Sequence, residues 1–515
     1  MKRYLILVFC LVTTFSSAYA QLTEQEQIKK LNSVYQNIRN HYVDDVSLEP
    51  LVEEAIIATL KELDPHSCYL TREEMESTQN RLRGEFAGIG IRYYIHNDTL
   101  VVRSTIDGSP AQRADILSND RITAINGQNV IGLATDSISS LLKGIIGSKV
   151  KLQILRRNSI EEINTTIKRE IIKTNAISSS FRIGDVGYIS FKSFSKPLSS
   201  EFYDAYKRLG DVKSLVIDLR DNGGGAISAA IDVTSLFLEK GDVIVSTEGN
   251  GEKRSYNKKS STVLNTIPVV VIINENSASA SEIFAGAIQD YDRGVIVGRT
   301  SYGKGLVQRI ISLKDGSGIC LTIARYKTPS GRVIQRPYSM GMGEEYLADS
   351  IRYMHPDSIR RDSTLIFKTL KNKRTVYGGG GITPDVYIGA NNILISRCVA
   401  ESQFNGVFEH VITDYWDIVS IDDVRQRYPT VEIFTQEYDV EQPLLDIYYA
   451  AAGYAHDGVT EQDKDYIRTM LMATMAEQLY DDGARHYVYV KLFDHTAIQA
   501  FAIADNPELM RSILE

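Results

Sequence analysis

The chain has few of the residues on which disulfide frameworks and metal sites are built. Its 515 residues include 4 cysteines and 8 histidines. Cys10 lies near the amino terminus, while Cys68, Cys320 and Cys398 are too widely spaced for a disulfide-rich domain, although a single bridge remains open. The sequence contains neither CxxC nor HExxH. It therefore predicts no metal site.

Long apolar segments are also scarce, and the one at the start of the chain is short. A basic pair at positions 2 and 3 precedes the run LILVFCLV, and an A-x-A cleavage pattern formed by Ala18, Tyr19 and Ala20 follows it. The run is too short to cross a bilayer, which takes about 20 apolar residues. The pattern is typical of a signal peptide over 1–20, cleaved after Ala20. We therefore expect an exported, periplasmic chain with no membrane span.

An excess of positive charge is missing as well. Asp and Glu number 65 against 57 Lys and Arg, which gives a formal net charge of −8. A protein that binds nucleic acid mainly through phosphate contacts needs clustered positive charge. The sequence therefore predicts no nucleic-acid partner, and it leaves protein and peptide partners open.

Hydrophobic periodicity divides the rest of the chain into four regions. Residues 21–83 have apolar positions at helical spacing and predict a helical packing or dimerisation element, so a homo-oligomer stays open. Residues 84–170 change to short strands and turns, and 171–390 alternate strands with helices, as α/β cores do. A polar stretch at about 338–375 predicts a surface insertion, and 391–515 return to helical spacing. The expected fold class is an α/β multidomain protein with helical amino- and carboxy-terminal regions.

A serine cluster lies where a buried strand leads into a helix. The strand IPVVVIIN is followed by NENSASASEIFAGAIQDY, which places Ser279 at the start of that helix. Amides at a helix start stabilise developing negative charge, which suits a nucleophile. Ser279 and Glu282 also have the S-x-x-E spacing of a capping box, so a purely structural interpretation of the cluster remains open.

A single lysine between two glycines follows in SYGKGLVQ. Glycines permit close backbone approach, and a lysine that loses its hydration there has a pKa below its usual value near 10.4, so its amine can accept a proton. Lys304 is thus a candidate general base for Ser279, although GKG is more often an ordinary exposed turn. Gln308 would share a strand face with Lys304 and orient its amine.

Glycines between another strand and helix supply candidate oxyanion donors. The segment DLRDNGGG covers 218–225, and its Gly224 together with the amide of Ala280 would bind a developing oxyanion. The rival interpretation is a phosphate-binding loop. It is weaker because the segment lacks both the lysine-serine/threonine ending of a P-loop and the G-x-G-x-x-G spacing.

The segment 84–170 resembles a PDZ domain. FAGIGIRYY, TLVVRSTIDGSPAQRADILSNDRITAINGQNV, SISSLLKG and IGSKVKLQILRR carry the resemblance. It implies a peptide-binding loop and strand made of Gly88, Ile89, Gly90 and Ile91. The helix starting near Ser137 would form the other wall of the groove. Asp115 stands where the family usually has glycine, and aspartate tolerates a left-handed conformation. A small β domain without a working groove is the alternative.

Taken together, GEFAGIGI, the PDZ-like segment, DLRDNGGG, SASASEIFAGAIQD, YGKGLVQ and TPSGR occur in the order seen in the C-terminal processing peptidases, also called tail-specific proteases. The resemblance covers about 30–390. It implies a Ser/Lys serine endopeptidase that forms an acyl-enzyme, with Ser279 as nucleophile, Lys304 as general base and Gln308 as its orienting residue. It also implies that no cofactor is needed and that the partners are proteins or peptides with apolar C-termini.

The chain departs from the family pattern at three positions. Gly223 stands where proline or serine is common, Arg299 where glutamate is frequent, and Asp292 where glycine is usual. None of these removes a catalytic group, and Asp290, which matches a family acidic position, is expected to be structural. The alternatives are a non-catalytic peptide-binding scaffold that retains the peptidase fold, and an esterase or amidase. Joint retention of nucleophile, base and orienting glutamine favours the protease.

Overall fold

The structure is a computed structural model. It describes residues 23–156, 162–259, 264, 266–339, 341, 346, 363–389, 395–454 and 458–515. The predicted signal peptide over 1–20 and most of the predicted insertion at about 338–375 lie outside these residues. Within them, no helix combines the length and the apolar character that a membrane crossing requires.

The amino-terminal region is largely helical, as expected. Its elements are α1 (Glu24–His41), α2 (Leu48–Lys61), β1 (Cys68–Leu70) and α3 (Arg72–Arg83). Capping boxes start α1 and α3, where the side chains of Thr23 and Thr71 each pair with a glutamate three residues later. α1 buries none of its residues, and the apolar side chains of Ile28, Leu31 and Val34 are 71%, 54% and 50% exposed. The homo-oligomer stays a prediction.

The next region is a small β domain with its own core. Its elements are β2 (Glu85–Gly88), β3 (Ile91–His96), β4 (Thr99–Thr105), α4 (Pro110–Arg113), β5 (Arg121–Ile125), β6 (Gln128–Asn129), α5 (Thr135–Leu142), β7 (Lys149–Leu155), β8 (Ile163–Lys168) and β9 (Glu170–Lys173). The sheet order is β3-β4-β5-β7-β8, with β6 beside β5, and β2 pairs with β9. Asp115 has φ 58, the left-handed conformation expected of it. The strand β3 ends the sheet, so among the described residues it pairs with β4 only; an end strand of this kind can accept an added strand.

The α/β region contains two sheets. Its elements are β10 (Ile177–Ile183), β11 (Val186–Phe191), α6 (Leu198–Arg208), β12 (Ser214–Asp218), α7 (Ile227–Thr234), β13 (Val243–Gly249), β14 (Glu252–Asn257), β15 (Val269–Ile273), α8 (Ala280–Asp290), β16 (Val295–Gly298), β17 (Leu306–Ser312), β18 (Gly318–Lys327), β19 (Ile366–Lys368), β20 (Thr375–Tyr377) and β21 (Val386–Tyr387). The central sheet has the order β10-β11-β12-β15-β16-β21 and is parallel from β11 onward. Its parallel strands are buried on both faces, which explains their continuous apolar sequences.

The second sheet has the order β1-β18-β13-β14, with β17 also paired to β18. β17 and β18 form an antiparallel hairpin that is closed by the KDGS turn. The partner of β18 on the other side is β1, in a register that sets Cys68 opposite Cys320. The amino-terminal region therefore contributes a strand to the α/β region, which its own helical pattern did not predict.

The carboxy-terminal region is helical throughout the residues described. Its helices are α9 (Arg397–Phe404), α10 (Val407–Tyr415), α11 (Ile421–Arg427), α12 (Val431–Glu437), α13 (Gln442–Ala452), α14 (Glu461–Leu479), α15 (Asp482–Leu492), α16 (His495–Ala504) and α17 (Pro507–Leu514). Most of them surround a separate core, but Ala497 and Ala500 of α16 pack on Val216 and Val270 of the central sheet. These last helices therefore cover the sheet face opposite α7 and α8. The domain limits expected from the sequence stay predictions.

An ion-pair network joins the β domain to the carboxy-terminal helices. Arg103 of β4 lies 3.1 Å from Glu409 of α10 and 3.4 Å from Glu477 of α14, and Arg485 lies 2.9 Å from both carboxylates. The two arginines hold the pKa of the buried Glu409 below its usual value against the effect of burial. Because both carboxylates are shared, the network fixes the orientation of the β domain against α10.

Candidate active site

Ser279 occupies a strained turn between β15 and α8. Its backbone has φ 56 and ψ −110, a positive-φ conformation that a residue with a side chain rarely adopts. A sharp strand-to-helix turn of this kind presents a serine hydroxyl at the end of a sheet. The neighbouring serines are buried and engaged, because the hydroxyls of Ser277 and Ser281 donate to the carbonyl oxygens of Leu219 and Asn222 at 2.8 Å. Only Ser279 of the three is half-exposed.

The predicted base and its orienting residue are in contact. Lys304 Nζ donates to Gln308 Oε1 at 2.7 Å, and a bulge between Val307 and Gln308 adjusts this part of β17. Burial holds the pKa of Lys304 below its usual value of 10.5, although nearby acidic groups oppose this shift. Gln308 Nε2 in turn donates to the carbonyl oxygen of His66. The amino-terminal region thereby fixes the glutamine that holds the lysine.

A buried carboxyl group joins the two candidate catalytic segments. Glu282 is fully buried, and its Oε2 accepts the backbone amides of Ser279 at 2.8 Å and Lys304 at 2.9 Å. Its Oε1 accepts from Ser301 Oγ at 2.6 Å and from the Gly303 amide at 2.7 Å. The S-x-x-E spacing had suggested a helix cap for Glu282, but its second role, towards Lys304, has no local signal.

A buried tyrosine makes a second connection between the same segments. Tyr326 OH lies 3.0 Å from the carbonyl oxygen of Ser279 and 2.8 Å from that of Lys304. Among the residues that the structure describes, no hydrogen bond joins Ser279 Oγ to Lys304 Nζ. Catalytic hydrogen bonds are often long without substrate. The structure thus brings the two backbones together and leaves their side chains apart.

The two predicted oxyanion donors lie close to Ser279: Ala280 follows it in the chain, and Gly224 packs against the backbone of the serine loop. Gly224 has φ +95, and a Cβ added to it would lie 2.7 Å from Ala278 O, 2.8 Å from Ala280 N and 3.0 Å from Ser279 Cβ. The Gly224 amide donates to Asn222 Oδ1 at 2.9 Å. Side chains also tie the glycine loop to the serine loop, because Asp221 accepts from Asn274 and Asn276.

We expect Gly224→Ala to reduce proteolysis by roughly 100-fold or more, because the added methyl group displaces the Ser279–Ala280 backbone that would bind the oxyanion. Gly223→Ala is the matched control, since no atom lies within 4 Å of its Cβ and its φ is not in the left-handed range. The measurement is kcat for cleavage of an unfolded protein substrate. Equal activity of the two variants would contradict this placement of the oxyanion site.

Two of the three departures from the family pattern have local explanations, and Asp290 has a structural environment. Arg299 pairs with Glu275 at 2.7 Å, and Asp292 has the positive φ of 50 that glycine would supply. Asp290 lies 2.7 Å from Arg332, and both side chains are fully buried. No atom lies within 4 Å of a Cβ added at Gly223, so its surroundings do not explain why glycine stands there. None of these contacts displaces Ser279 or Lys304.

The predicted tail-binding residues form the start of the edge strand. Gly88 ends β2, Ile89 is buried, and Ile91 begins β3. Gly90 has φ +84, and a Cβ there would lie 2.3 Å from Ser109 Cβ, so only glycine fits. Across the groove, Tyr93 OH of β3 donates to the carbonyl oxygen of Thr135 in α5. The loop and edge strand therefore lie beside α5, and the peptide-binding role of Gly88, Ile89, Gly90 and Ile91 stays a prediction.

A large cavity lies between the β domain, the central sheet and the carboxy-terminal helices. Its volume is about 2000 Å³, and its walls include Ile91 and Arg92 of β3 as well as Arg220 and Asp221 of the DLRDNGGG segment. Arg220 pairs with both Asp218 and Asp494 of the carboxy-terminal region. Sequence reasoning did not predict this cavity, because its walls come from three separate regions.

Three family models match the chain. "Peptidase family S41" matches residues 185–341, "PDZ domain" matches 87–167, and "Activating protease CtpB N-terminal domain" matches 12–74. The PDZ match confirms the expected identity of the β domain.

Curated relatives give the same assignment, and one similar solved structure is reported beside them. A carboxy-terminal-processing protease of Bartonella bacilliformis is 36% identical over 319 residues, which are 60% of this chain and 73% of that protein. A probable CtpA-like serine protease of Staphylococcus aureus is 32% identical over 347 residues, 66% of this chain and 69% of that protein. The structure of the photosystem II D1 C-terminal processing protease is 24% identical, covers 70% of this chain and 86% of its own, and has a TM-score of 0.36. The chain belongs to the C-terminal processing peptidases, serine-type peptidases of family S41 that carry a PDZ domain.

Proposed function

We propose that this chain is an endopeptidase that cleaves proteins recognised by apolar C-terminal tails, through a Ser/Lys mechanism with an acyl-enzyme intermediate. The observation that carries the proposal is the positive-φ Ser279, whose amide shares one buried carboxylate oxygen with the amide of Lys304. A helix cap needs only the first of these two contacts. The contact between Glu282 and the Lys304 amide is explained if Ser279 and Lys304 act together.

The proposed reaction begins with neutral Lys304. Its Nζ takes the proton from Ser279 Oγ as the oxygen attacks the scissile carbonyl carbon, and the resulting ammonium gives that proton to the leaving amine. Water then attacks the acyl-enzyme while Lys304 accepts its proton; the ester bond to Ser279 Oγ breaks, Lys304 returns the proton to that oxygen, and the carboxylic acid product leaves. Burial supports this role because it favours the neutral amine, and Gln308 Oε1 accepts one N–H so that the amine is held in place.

The developing oxyanion would be bound by backbone amides. The Ala280 amide directly follows the nucleophile, at the first residue of α8, where the helix dipole favours negative charge. The Gly224 amide would join it after exchanging its hydrogen bond with Asn222 Oδ1 for one to the substrate oxygen. We therefore assign Ala280 the larger part of the stabilisation.

Recognition of the substrate tail is assigned to the PDZ groove. The apolar C-terminus would add to the free edge of β3, with its carboxylate at the Gly88–Ile91 loop. The cavity of about 2000 Å³, whose walls include Ile91 and Asp221, provides space for the substrate residues that precede the tail. We also propose that the chain is exported to a periplasm after cleavage behind Ala20; the mass of the mature amino-terminal peptide tests this cleavage.

The tail preference can be measured directly. Replacing the last residues of an unfolded protein substrate with charged residues should lower kcat/KM by roughly 10- to 100-fold, because burial of one apolar side chain contributes about 1.5–3 kcal/mol. The same charged residues placed at the amino terminus of the substrate serve as the control and should change little. Equal cleavage of both substrates would exclude tail recognition. Tail binding by the wild type without any cleavage would favour the scaffold interpretation.

A further inference from the structure

Two cysteines face each other beside the candidate base. Cys68 of β1 and Cys320 of β18 are direct partners in an antiparallel register. Directly opposite residues in antiparallel strands have Cα atoms about 4.5–5.5 Å apart, within the range of about 4.4–6.8 Å that a disulfide spans. Both are free thiols here, and Cys68 is exposed. The strand register therefore brings the two cysteines within the separation that a disulfide can span.

We propose that Cys68 and Cys320 form a redox site, in which a reversible disulfide ties the amino-terminal region to β18 next to Lys304. The peptidase mechanism uses neither thiol. Position supports a regulatory role, because His66, whose carbonyl oxygen holds Gln308, lies two residues before Cys68. The disulfide would therefore form next to the His66–Gln308 hydrogen bond, which links the amino-terminal region to Lys304.

The oxidant required is a disulfide, either of a small molecule such as glutathione or of a redox protein. The Cys68 thiolate attacks one of its sulfur atoms and displaces a thiolate, which gives a mixed disulfide. The Cys320 thiolate then attacks Cys68 Sγ and releases the second thiol. Two protein thiols and one disulfide thus become one protein disulfide and two released thiols.

The electrostatics assign the two cysteines different roles in this exchange. Interaction with the facing Cys320 thiol, helped by the charge of Lys304, lowers the pKa of Cys68 to about 7, against burial and the carboxylates of Glu74 and Asp64. The pKa of Cys320 is raised, first by its interaction with Cys68 and then by burial. Cys68 is therefore the attacking thiol and Cys320 the resolving thiol.

Oxidation would also change the charge that Lys304 experiences. The groups that raise the pKa of Lys304 are Cys320, Cys68, Asp64 and Glu282. The neighbouring His66 has its pKa lowered to about 4, so it is neutral near pH 7 and adds no charge. A disulfide removes the thiolate contribution, so the pKa of Lys304 falls and its amine becomes neutral at lower pH. This consequence rests on the proposed function, in which Lys304 is the base.

The disulfide itself is tested without any activity measurement. The full chain is equilibrated with defined ratios of oxidised to reduced dithiothreitol, alkylated under denaturing conditions and weighed by mass spectrometry. The oxidised protein should carry two fewer alkyl groups than the reduced protein. Cys68→Ser and Cys320→Ser should each abolish this difference, while Cys398→Ser, the matched control, and Ser279→Ala should retain it. No difference in the wild type, or its loss in Cys398→Ser, would overturn the proposal.

The coupling to Lys304 is tested by the pH dependence of kcat/KM in the oxidised and reduced protein. The acid limb should lie about 1 pH unit lower after oxidation, because loss of one nearby charge shifts a pKa by about that amount. The Cys68→Ser/Cys320→Ser double variant should show a single profile under both conditions. An unmoved or raised limb despite disulfide formation would refute the coupling. Full activity of Ser279→Ala would instead refute the proposed mechanism, with the alkylation result unaffected.

Discussion

Ser279→Ala and Lys304→Ala are each expected to reduce kcat for protein cleavage by at least about 10⁴-fold, as seen when nucleophile or base is removed from a serine protease. The alanine at 279 leaves no nucleophile, and the alanine at 304 leaves no group to accept the serine proton. Cleavage of an unfolded protein with an apolar C-terminus, followed by gel or mass spectrometry, measures both effects.

A matched control for the lysine is available on β18. Lys327 pairs with Glu248 at 2.9 Å on the surface and contacts neither Ser279 nor Lys304, so Lys327→Ala should keep near-wild-type activity. In the wild type, kcat/KM should rise as pH increases through the pKa of Lys304, since only the neutral amine is a base. This rise should occur below the usual lysine value of 10.5. Retained activity in Lys304→Ala would show that another group is the base.

Glu282→Gln is expected to lower kcat by roughly 100-fold or more, although it changes one oxygen atom to an NH₂ group. Each carboxylate oxygen accepts two hydrogen bonds, and at least one donor to each is a backbone amide. Whichever way the amide is turned, its NH₂ group faces a backbone N–H that has lost its acceptor. Burial makes such an unpaired donor costly, so the Ser279 and Lys304 segments should move apart.

The control for this substitution is Glu275→Gln, the same chemical change in a neighbouring carboxylate. Glu275 pairs with Arg299 and makes no contact with the amides of Ser279 or Lys304. Thermal melting should be recorded for both variants, so that lost activity can be separated from lost folding. If Glu282→Gln stays folded and keeps full activity, the buried carboxylate does not position the two residues.

Local sequence was sufficient to predict the residues whose signals are short. The order of strand, serine cluster and helix predicted Ser279, and the glycine bracket with a strand behind it predicted the contact between Lys304 and Gln308. The pairing of β1 with β18 could not be predicted, because nothing within three residues of Cys68 indicates a partner more than 200 residues away. The contact of Glu282 with the Lys304 segment was missed for another reason: the spacing of Glu282 from Ser279 already had an adequate local explanation as a helix cap.

The position of α16 determines which part of the chain is needed for a stable fold. All motifs that identify the family lie before about residue 390, yet Val216 and Val270 of the central sheet are covered by Ala497 and Ala500. A shortened chain that kept every motif would expose one face of its parallel sheet to solvent. Such a chain should be unstable, because parallel sheets are stable when both faces are covered. The residues that would carry out catalysis and the residues that cover the sheet therefore lie in different parts of the chain, and the covering part contains no recognisable family motif.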